Sequence, residues 1–149
     1  MSLPPAIPAS FTLPGFLAAS LLVAGGGALG AWLRFATARM WTMAIGPIAA
    51  SAFPWSTLTV NVLGSLAMGL LAGWLARHGG NGAIHPESWR LLLGVGVLGG
   101  YTTFSAFALE FALFVEGGAL GMAALYTGLS LVAGFAALFA GLFIMRPIL

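Results

Sequence analysis

A chain of 149 residues that is 60% hydrophobic and only 5% charged does not match a water-soluble domain, in which about a quarter of the residues are charged. Its net charge of +2 comes from five arginines and three glutamates, which is too small a surplus for a nucleic-acid-binding surface. The absence of cysteine excludes disulfides and thiolate chemistry. With a mean hydropathy of +1.06, the composition predicts an integral membrane protein whose solvent is lipid.

The chain begins with residues 1–15, a stretch interrupted by prolines and without the positive charge that opens a signal peptide. We expect this stretch to lie outside the membrane. Four apolar segments follow, each reaching the roughly 20 residues that a helix needs to cross a bilayer. They predict an all-α, multi-pass protein with a single membrane domain, whose spans cover approximately 16–37, 57–76, 89–115 and 118–145.

The arginines are nearly balanced between the two sides of the membrane. An even number of spans places both termini on one side, with Arg77, Arg90 and Arg146, whereas Arg34 and Arg39 lie towards the other side. Because arginine-rich loops stay in the cytoplasm, this balance gives almost no preferred orientation. Two interpretations remain open: the first helix or a partner fixes one orientation, or the chain inserts both ways and pairs head to tail.

Glycines spaced four residues apart recur in three of the spans, and such spacing favours close helix contacts in membranes. Four helices alone make a thin bundle with little room for an internal aqueous path. We therefore expect a homodimer, with tight contacts at the pairs Gly26 and Gly30, Gly69 and Gly73, and Gly96 and Gly100.

Asn61 places an amide inside the second span, where it is costly unless it faces protein or a water-lined cavity. Thr57, Gly64, Ser65 and Met68 fall on roughly the same helical face. This face predicts a narrow, weakly polar lane along the span. A hydrogen bond that only joins two helices is the alternative role for Asn61.

The third span contains the run from Gly99 to Thr103, which is a poor continuous helix because glycines and β-branched threonines disfavour it. We predict that the helix is broken near its middle. Irregular backbone at this depth is tolerated only inside protein or beside water. Its free carbonyls suit a hard monovalent cation such as sodium. The alternative is a continuous helix that packs closely on a neighbour.

Phe104, Phe107, Phe111 and Phe114 share one helical face with Glu110. The edges of phenyl rings carry partial positive charge and can contact an anion without holding it as tightly as a full charge would. The alternative is an ordinary core or lipid contact. For Glu110 we expect an arginine or a backbone group as partner.

In the fourth span Tyr126 and Ser130 lie four residues apart, on one face. Ser130 either faces a pathway or donates back to its own helix. The glycines of GGGALG lie inside a span without a preceding strand, so they are not a dinucleotide-binding motif. The sequence offers no nucleophile paired with a base, no metal-ligand cluster and no phosphate-binding loop. We therefore expect a protein that is not an enzyme.

Three phrases, GGGALGAWLRF, TLTVNVLGSLAMG and GGYTTFSAFALE, occur in this order in the first three spans. Together they resemble the CrcB/Fluc family of fluoride channels. The resemblance implies a fluoride-selective passive channel that exports fluoride from the cytoplasm across the cell (inner) membrane and protects against its toxicity. It also implies an antiparallel, dual-topology homodimer with two pores, embedded in membrane lipid.

The same resemblance assigns roles to individual residues. The backbone carbonyls of Gly99 and Thr102 would bind a structural sodium ion that is not transported. Asn61 would orient the groups at the break and donate to fluoride, while Phe104 and Phe107 would present ring edges to it. Further polar groups of the pathway would be Thr103, Ser105, Tyr126 and Ser130, with Arg34 at the vestibule.

This chain departs from the family at one position, and two alternative functions remain open. The polar track of the family commonly continues with another hydroxyl where this chain has Gly134, so water or a neighbouring group would have to substitute. The main alternative function is a small proton-coupled multidrug-type exporter of four spans, which needs an acid in the membrane, and Glu110 is the candidate. A further alternative is an assembly subunit without a pathway of its own.

Overall fold

The structure, a computed structural model, describes residues 15–78 and 85–145, and nearly all of them are helical. Four stretches are long and apolar enough to cross a membrane: Phe16–Ile45, Trp55–His78, Pro86–Glu116 and Leu120–Met145. The predicted all-α architecture with four spans is therefore confirmed. In chain order the elements are α1 (Phe16–Ile45), α2 (Pro47–Ala52), α3 (Trp55–His78), α4 (Pro86–Trp89), a π-helical segment (Arg90–Leu98), α5 (Gly99–Tyr101), α6 (Phe104–Glu116) and α7 (Leu120–Met145).

Helix α1 is longer than the predicted first span. Its 30 residues extend about 45 Å, beyond the roughly 30 Å hydrocarbon core of a bilayer. It ends at Gly46, whose φ of 81° favours glycine, and Pro47 then opens the short helix α2. Part of the expected connector is thus helical. Residues 1–14 of the expected lead-in, and Arg146, lie outside the described residues.

The third span packs on α1 through glycines. A Cβ on Gly30 would collide with the carbonyl oxygen of Val97, and a Cβ on Gly100 would lie 2.5 Å from the carbonyl oxygen of Gly27. Gly96 would place a Cβ 2.9 Å from the Cα of Gly26. The two backbones therefore touch directly, as expected for small residues at a membrane-helix crossing.

Helices α3 and α7 run in the same direction and pack in the same way. A Cβ on Gly69 would collide with the carbonyl oxygen of Leu138 and lie 3.1 Å from the Cα of Gly141. One turn further, a Cβ on Gly73 would lie 2.6 Å from the Cβ of Met145. The predicted tight contacts are thus present, but all three glycine pairs are occupied within one chain. These glycines therefore do not supply a surface for a second copy, and their spacing no longer supports the expected homodimer.

Tryptophans mark both ends of α3, as they commonly do at the two membrane interfaces. At one end Trp41 stacks on Trp55 with ring centroids 5.6 Å apart, and its Nε1 donates to Thr59 Oγ1 at 3.1 Å. At the other end Trp74 and Trp89 meet edge to face at 6.1 Å. Trp55 and Trp74 are separated by roughly 28 Å of helix, which matches the apolar thickness of a bilayer.

Candidate functional site

The helical path of the third span is interrupted at Thr102 and Thr103, both of which are extended, with φ, ψ of −83°, 161° and −153°, 125°. The predicted break is therefore confirmed. Helix α5 ends at Tyr101, and α6 starts at Phe104 with Thr103 as its N-cap. The Thr103 hydroxyl accepts from the backbone N–H of Ala106 at 3.2 Å, which satisfies one of the free donors of the new helix.

The side chain of Asn61 holds the interruption through two hydrogen bonds. Its Nδ2 donates to the carbonyl oxygen of Thr103 at 3.0 Å, and its Oδ1 accepts from the Thr103 N–H at 2.8 Å. The amide thus supplies the partners that a continuous helix would give to this residue. One of its two N–H bonds is left over. Donation from that N–H to an ion stays a prediction.

The carbonyl of Thr102 accepts no backbone hydrogen bond from the part of the chain that the structure describes. The N–H and the hydroxyl of Thr102 both donate to Leu98, at 3.0 and 2.9 Å, so the upstream helix is closed. Carbonyls without partners at membrane depth require another polar group or water. Thr102, one of the two residues expected to bind sodium, therefore has a backbone oxygen without a backbone partner among the described residues. Sodium binding at Gly99 and Thr102 stays a prediction.

A groove of about 360 Å³ opens beside the break, between α3, α6 and α7. Six of the predicted site residues line it, whereas Arg34, Gly99, Ser105 and Tyr126 do not. The complete lining is Asn61, Gly64, Ser65, Met68, Thr102, Thr103, Phe104, Phe107, Ser130, Leu131, Gly134 and Leu138.

The polarity of the groove changes along its length. Because α3 and α7 run in the same direction, positions 61, 65 and 68 of α3 follow positions 130, 134 and 138 of α7. The lining therefore passes from Asn61 and Ser130 to the apolar side chains of Met68 and Leu138. Hydrogen-bond donors are thus concentrated beside the break.

The hydroxyl of Ser130 is buried and has no hydrogen-bond partner within the described residues. The alternative interpretation, in which it donates back to its own helix, is therefore wrong. Ser130 is among the residues that line the groove, and donation from its O–H to a bound ion stays a prediction.

The phenyl rings of Phe104 and Phe107 form a wall of the groove. The ring centroids of Phe104 and Phe107 are 5.9 Å apart, and Phe107 lies 5.1 Å from the ring of Tyr126. Phe104 is 80% exposed, so its own chain leaves it uncovered. Whether these ring edges contact an anion stays a prediction.

A hydrogen-bond network that the sequence did not reveal joins three spans beside this wall. The hydroxyl of Tyr126, which is 0% exposed, donates to Glu110 Oε2 at 2.6 Å. Thr57 Oγ1 donates to Glu110 Oε1 at 2.7 Å. The expected arginine or backbone partner of Glu110 is therefore wrong, since its partners are two hydroxyls. Phe53, also unpredicted, packs edge-on against Tyr126 at 5.5 Å.

A signal for this network does exist in the sequence. Thr57 opens the second span, Glu110 comes near the end of the third, and Tyr126 comes near the start of the fourth. These three positions belong to the same side of the membrane. Comparing the depth of each polar residue in the membrane predicts that these three side chains lie close together.

Two remaining predicted residues lie apart from the groove. Ser105 places its Oγ 3.3 Å from Thr103 Oγ1, at the start of α6. Arg34 is half-buried within α1, which continues to Ile45, and it forms no ion pair with any described residue. Its placement at a vestibule stays a prediction.

Fold and groove together define a small helical membrane protein of four spans, with a largely apolar groove that carries a few polar groups beside a broken helix. The profile of the family described as "CrcB-like protein, Camphor Resistance (CrcB)" matches residues 21–142, and the chain belongs to this family.

Relatives named "Fluoride-specific ion channel FluC" match nearly their whole length. The protein from Novosphingobium aromaticivorans is 57% identical over 132 residues, covering 89% of this chain and 99% of its own. That from Erythrobacter litoralis is 50% identical over 91% of this chain and 96% of its own. That from Caulobacter vibrioides is 46% identical over 86% of this chain and 95% of its own. These proteins are named as channels and not as enzymes.

Proposed function

We propose that this chain is a passive, fluoride-selective channel that lets fluoride leave the cytoplasm across the inner membrane and so protects the cell. The observation that carries the proposal is the groove at the broken third helix, which is lined by Asn61 and Ser130 together with two phenyl rings. The family and the names of its members, given above, support fluoride as the ion.

The groove suits a small, strongly hydrated anion. Fluoride sheds water only where hydrogen bonds are returned to it, and the second N–H of Asn61 and the hydroxyl of Ser130 supply such donors. None of the described residues that line the groove is charged. An anion is therefore stabilised by dipoles and ring edges, which release it more readily than an arginine or lysine would.

The functional unit is an antiparallel homodimer. Phe104 is 80% exposed, and the Thr102 carbonyl beside it accepts no backbone hydrogen bond from described residues. Irregular backbone inside a bilayer has to be covered by protein or water. A second copy that packs against the break covers both features and completes the wall of the groove. The balance of arginines permits this second copy to insert in the opposite orientation.

A structural sodium ion fits the backbone groups at the break. The carbonyl oxygen of Thr102 accepts no backbone hydrogen bond from described residues, Gly99 is exposed beside it, and hard monovalent cations bind carbonyl oxygens. When bound, the ion supplies a fixed positive charge that holds the interruption open. Asn61 also stabilises the interruption, because its side chain hydrogen-bonds to both the N–H and the carbonyl of Thr103.

The network of Glu110 favours the channel over the proton-coupled exporter. An exporter needs an acid that meets its substrate and exchanges protons with it. Glu110 does not line the groove, and two hydroxyls donate to its two oxygens. In this arrangement the carboxylate acts as an acceptor that joins three spans.

The direct test is ion efflux from liposomes that contain only the purified protein. We expect fluoride to leave without any proton gradient and chloride to be retained. Replacing Phe104 by isoleucine keeps an apolar side chain but removes the ring edge, so fluoride efflux should fall at least about tenfold while the dimer still assembles. Chloride efflux as fast as that of fluoride would refute the proposed selectivity. A strict requirement for a proton gradient would favour the exporter, and silence of the purified protein would favour the assembly subunit.

A further inference from the structure

We propose that Ser65 is a further ion-contacting residue of the groove, a hydrogen-bond donor to the passing anion, and that Gly134 is the glycine that leaves room for it. The inference rests on the proposed function, because it assigns a role within the same groove. No feature of the sequence singled out Ser65 beyond its place on the face of Asn61.

The first observation concerns the hydroxyl of Ser65. Serine and threonine hydroxyls in membrane helices usually donate to the carbonyl four residues earlier. Thr37, Thr42 and Thr102 do so here, at 2.9 to 3.0 Å. Ser65 makes no hydrogen bond to any described residue, although the carbonyl of Asn61 stands at the corresponding position. Its O–H is therefore free, and it lines the groove.

The second observation concerns the space in front of this hydroxyl. A Cβ built on Gly134 of α7 would lie 3.7 Å from Ser65 Oγ, which is ordinary van der Waals contact. The two positions are thus direct neighbours in the lining of the groove. Because Gly134 has no side chain, this position of α7 leaves the space beside the Ser65 hydroxyl open.

The third observation concerns the position of Ser65 along the groove. It lies one turn beyond Asn61, and the next residue of α3 in the lining is the apolar Met68. An anion that moves from Asn61 and Ser130 towards Met68 therefore finds its last side-chain donor on α3 at Ser65. Without this hydroxyl the ion would enter the apolar end of the groove with one hydrogen bond fewer.

The test is a hydroxyl swap between the two helices. Fluoride efflux from liposomes is measured for Ser65→Ala, for Ser65→Ala combined with Gly134→Ser, and for Ser65→Ala combined with Gly134→Ala. The first variant should lose about tenfold or more of the efflux rate, because a charged acceptor loses one donor. The serine on α7 should restore most of it, since a Cβ there already lies within contact distance of the lost hydroxyl. The alanine on α7 should restore nothing.

Two control variants separate the loss of a donor in the groove from other effects of the substitution. Thr42→Ala removes a hydroxyl that is already bonded to the carbonyl of Ala38 outside the groove, and its efflux should equal that of the wild type. Ser65→Cys retains nearly the same shape with a weak donor, so it should conduct almost as poorly as the alanine variant even if alanine disturbs packing.

The outcomes separate this inference from the proposed function. If the wild type conducts fluoride and Ser65→Ala conducts equally well, Ser65 plays no part in conduction while the channel assignment stands. If restoration occurs equally with serine and with alanine at position 134, the effect is one of packing, and the inference is again overturned. If the wild type does not conduct fluoride, the proposed function fails and the role of Ser65 falls with it.

Discussion

Asn61 shows how one side chain stabilises irregular backbone inside a membrane. Its amide donates to and accepts from the same residue, Thr103, so the extended backbone there retains both of its hydrogen bonds. A carboxamide is suited to this pairing because it carries a donor and an acceptor on one planar group. The isosteric carboxylate carries only acceptors when it is ionised.

Replacing Asn61 by aspartate should therefore disrupt the break. A carboxylate oxygen would face the Thr103 carbonyl oxygen, and the loss of that hydrogen bond should cost about 1–3 kcal/mol of stability. We expect a lower unfolding temperature in detergent and at least about a tenfold loss of fluoride efflux. Ser51→Ala removes a hydroxyl outside the groove that is bonded to the carbonyl of Ile48, and it should change neither quantity. Wild-type efflux and stability in Asn61→Asp would show that the amide donor is dispensable.

The two tyrosines of the chain offer a matched comparison. The hydroxyl of Tyr126 donates to Glu110 at 2.6 Å, whereas that of Tyr101 lies 3.4 Å from Thr37 Oγ1, which is long for a hydrogen bond between hydroxyls. Tyr126→Phe should thus lower the free energy of unfolding by about 1.5–3 kcal/mol, the range for bonds to charged groups. Tyr101→Phe should change it by less than about 1 kcal/mol. Thermal unfolding of both variants in one detergent measures the difference, and equal shifts would contradict the assigned strength of the Glu110 network.

At the scale of the helices, the sequence predicts those features that depend on the helix propensity of neighbouring residues. The run from Gly99 to Thr103 disfavours helix by itself, so local sequence predicts the position of the interruption. Asn61, whose side chain holds the interruption, lies 42 residues away from it in sequence. The sequence predicts that Asn61 faces protein or a cavity, but it does not predict that Thr103 is its hydrogen-bond partner. The extension of α1 to Ile45 was not predicted. The thickness of a membrane sets the length of the predicted first span, whereas a helix can continue beyond the membrane.

The glycine spacing carried a similar ambiguity. It predicted close contacts, which are present, but spacing alone does not say whether the facing helix belongs to the same chain. The three pairs pack α1 on the third span and α3 on α7. The network of Thr57, Glu110 and Tyr126 was missed for the related reason that its members come from three spans and only matched depth connects them.

Neighbouring glycines of α1 test this packing directly. A Cβ on Gly30 would meet the carbonyl oxygen of Val97 and the backbone nitrogen of Tyr101, whereas a Cβ on Gly27 has nothing within 4 Å. Gly30→Ala should therefore lose about 1–3 kcal/mol through overpacking against backbone that cannot move aside. Gly27→Ala should be neutral or gain up to about 1 kcal/mol from its better helix propensity. Unfolding temperatures in detergent compare the two, and an equal response would argue against the backbone contact.

At the scale of the whole molecule, the glycine pairs are already packed against helices of the same chain. We therefore expect the dimer contact at the broken third span instead. The described part of the chain leaves Phe104 and Gly99 exposed there. Both ends of α3 carry tryptophans, at Trp55 and Trp74, so neither end is distinguished by its anchor. The molecule is thus nearly symmetric with respect to the membrane in charge and in aromatic belts.

This symmetry predicts that individual copies insert in both orientations, and the absence of cysteine makes the prediction simple to test. Ile48 in α2 is 85% exposed, and His85 is exposed beside α4, at the opposite end of the spans. Ile48→Cys and His85→Cys can each be labelled in intact spheroplasts with a maleimide that does not cross membranes. Two orientations in equal number should leave about half of the copies labelled in both variants, because each site then faces outward in half of the molecules. A single orientation would label one variant fully and the other not at all, and it would exclude an antiparallel pair formed from this chain alone. The unsubstituted protein, which should take no label, is the control.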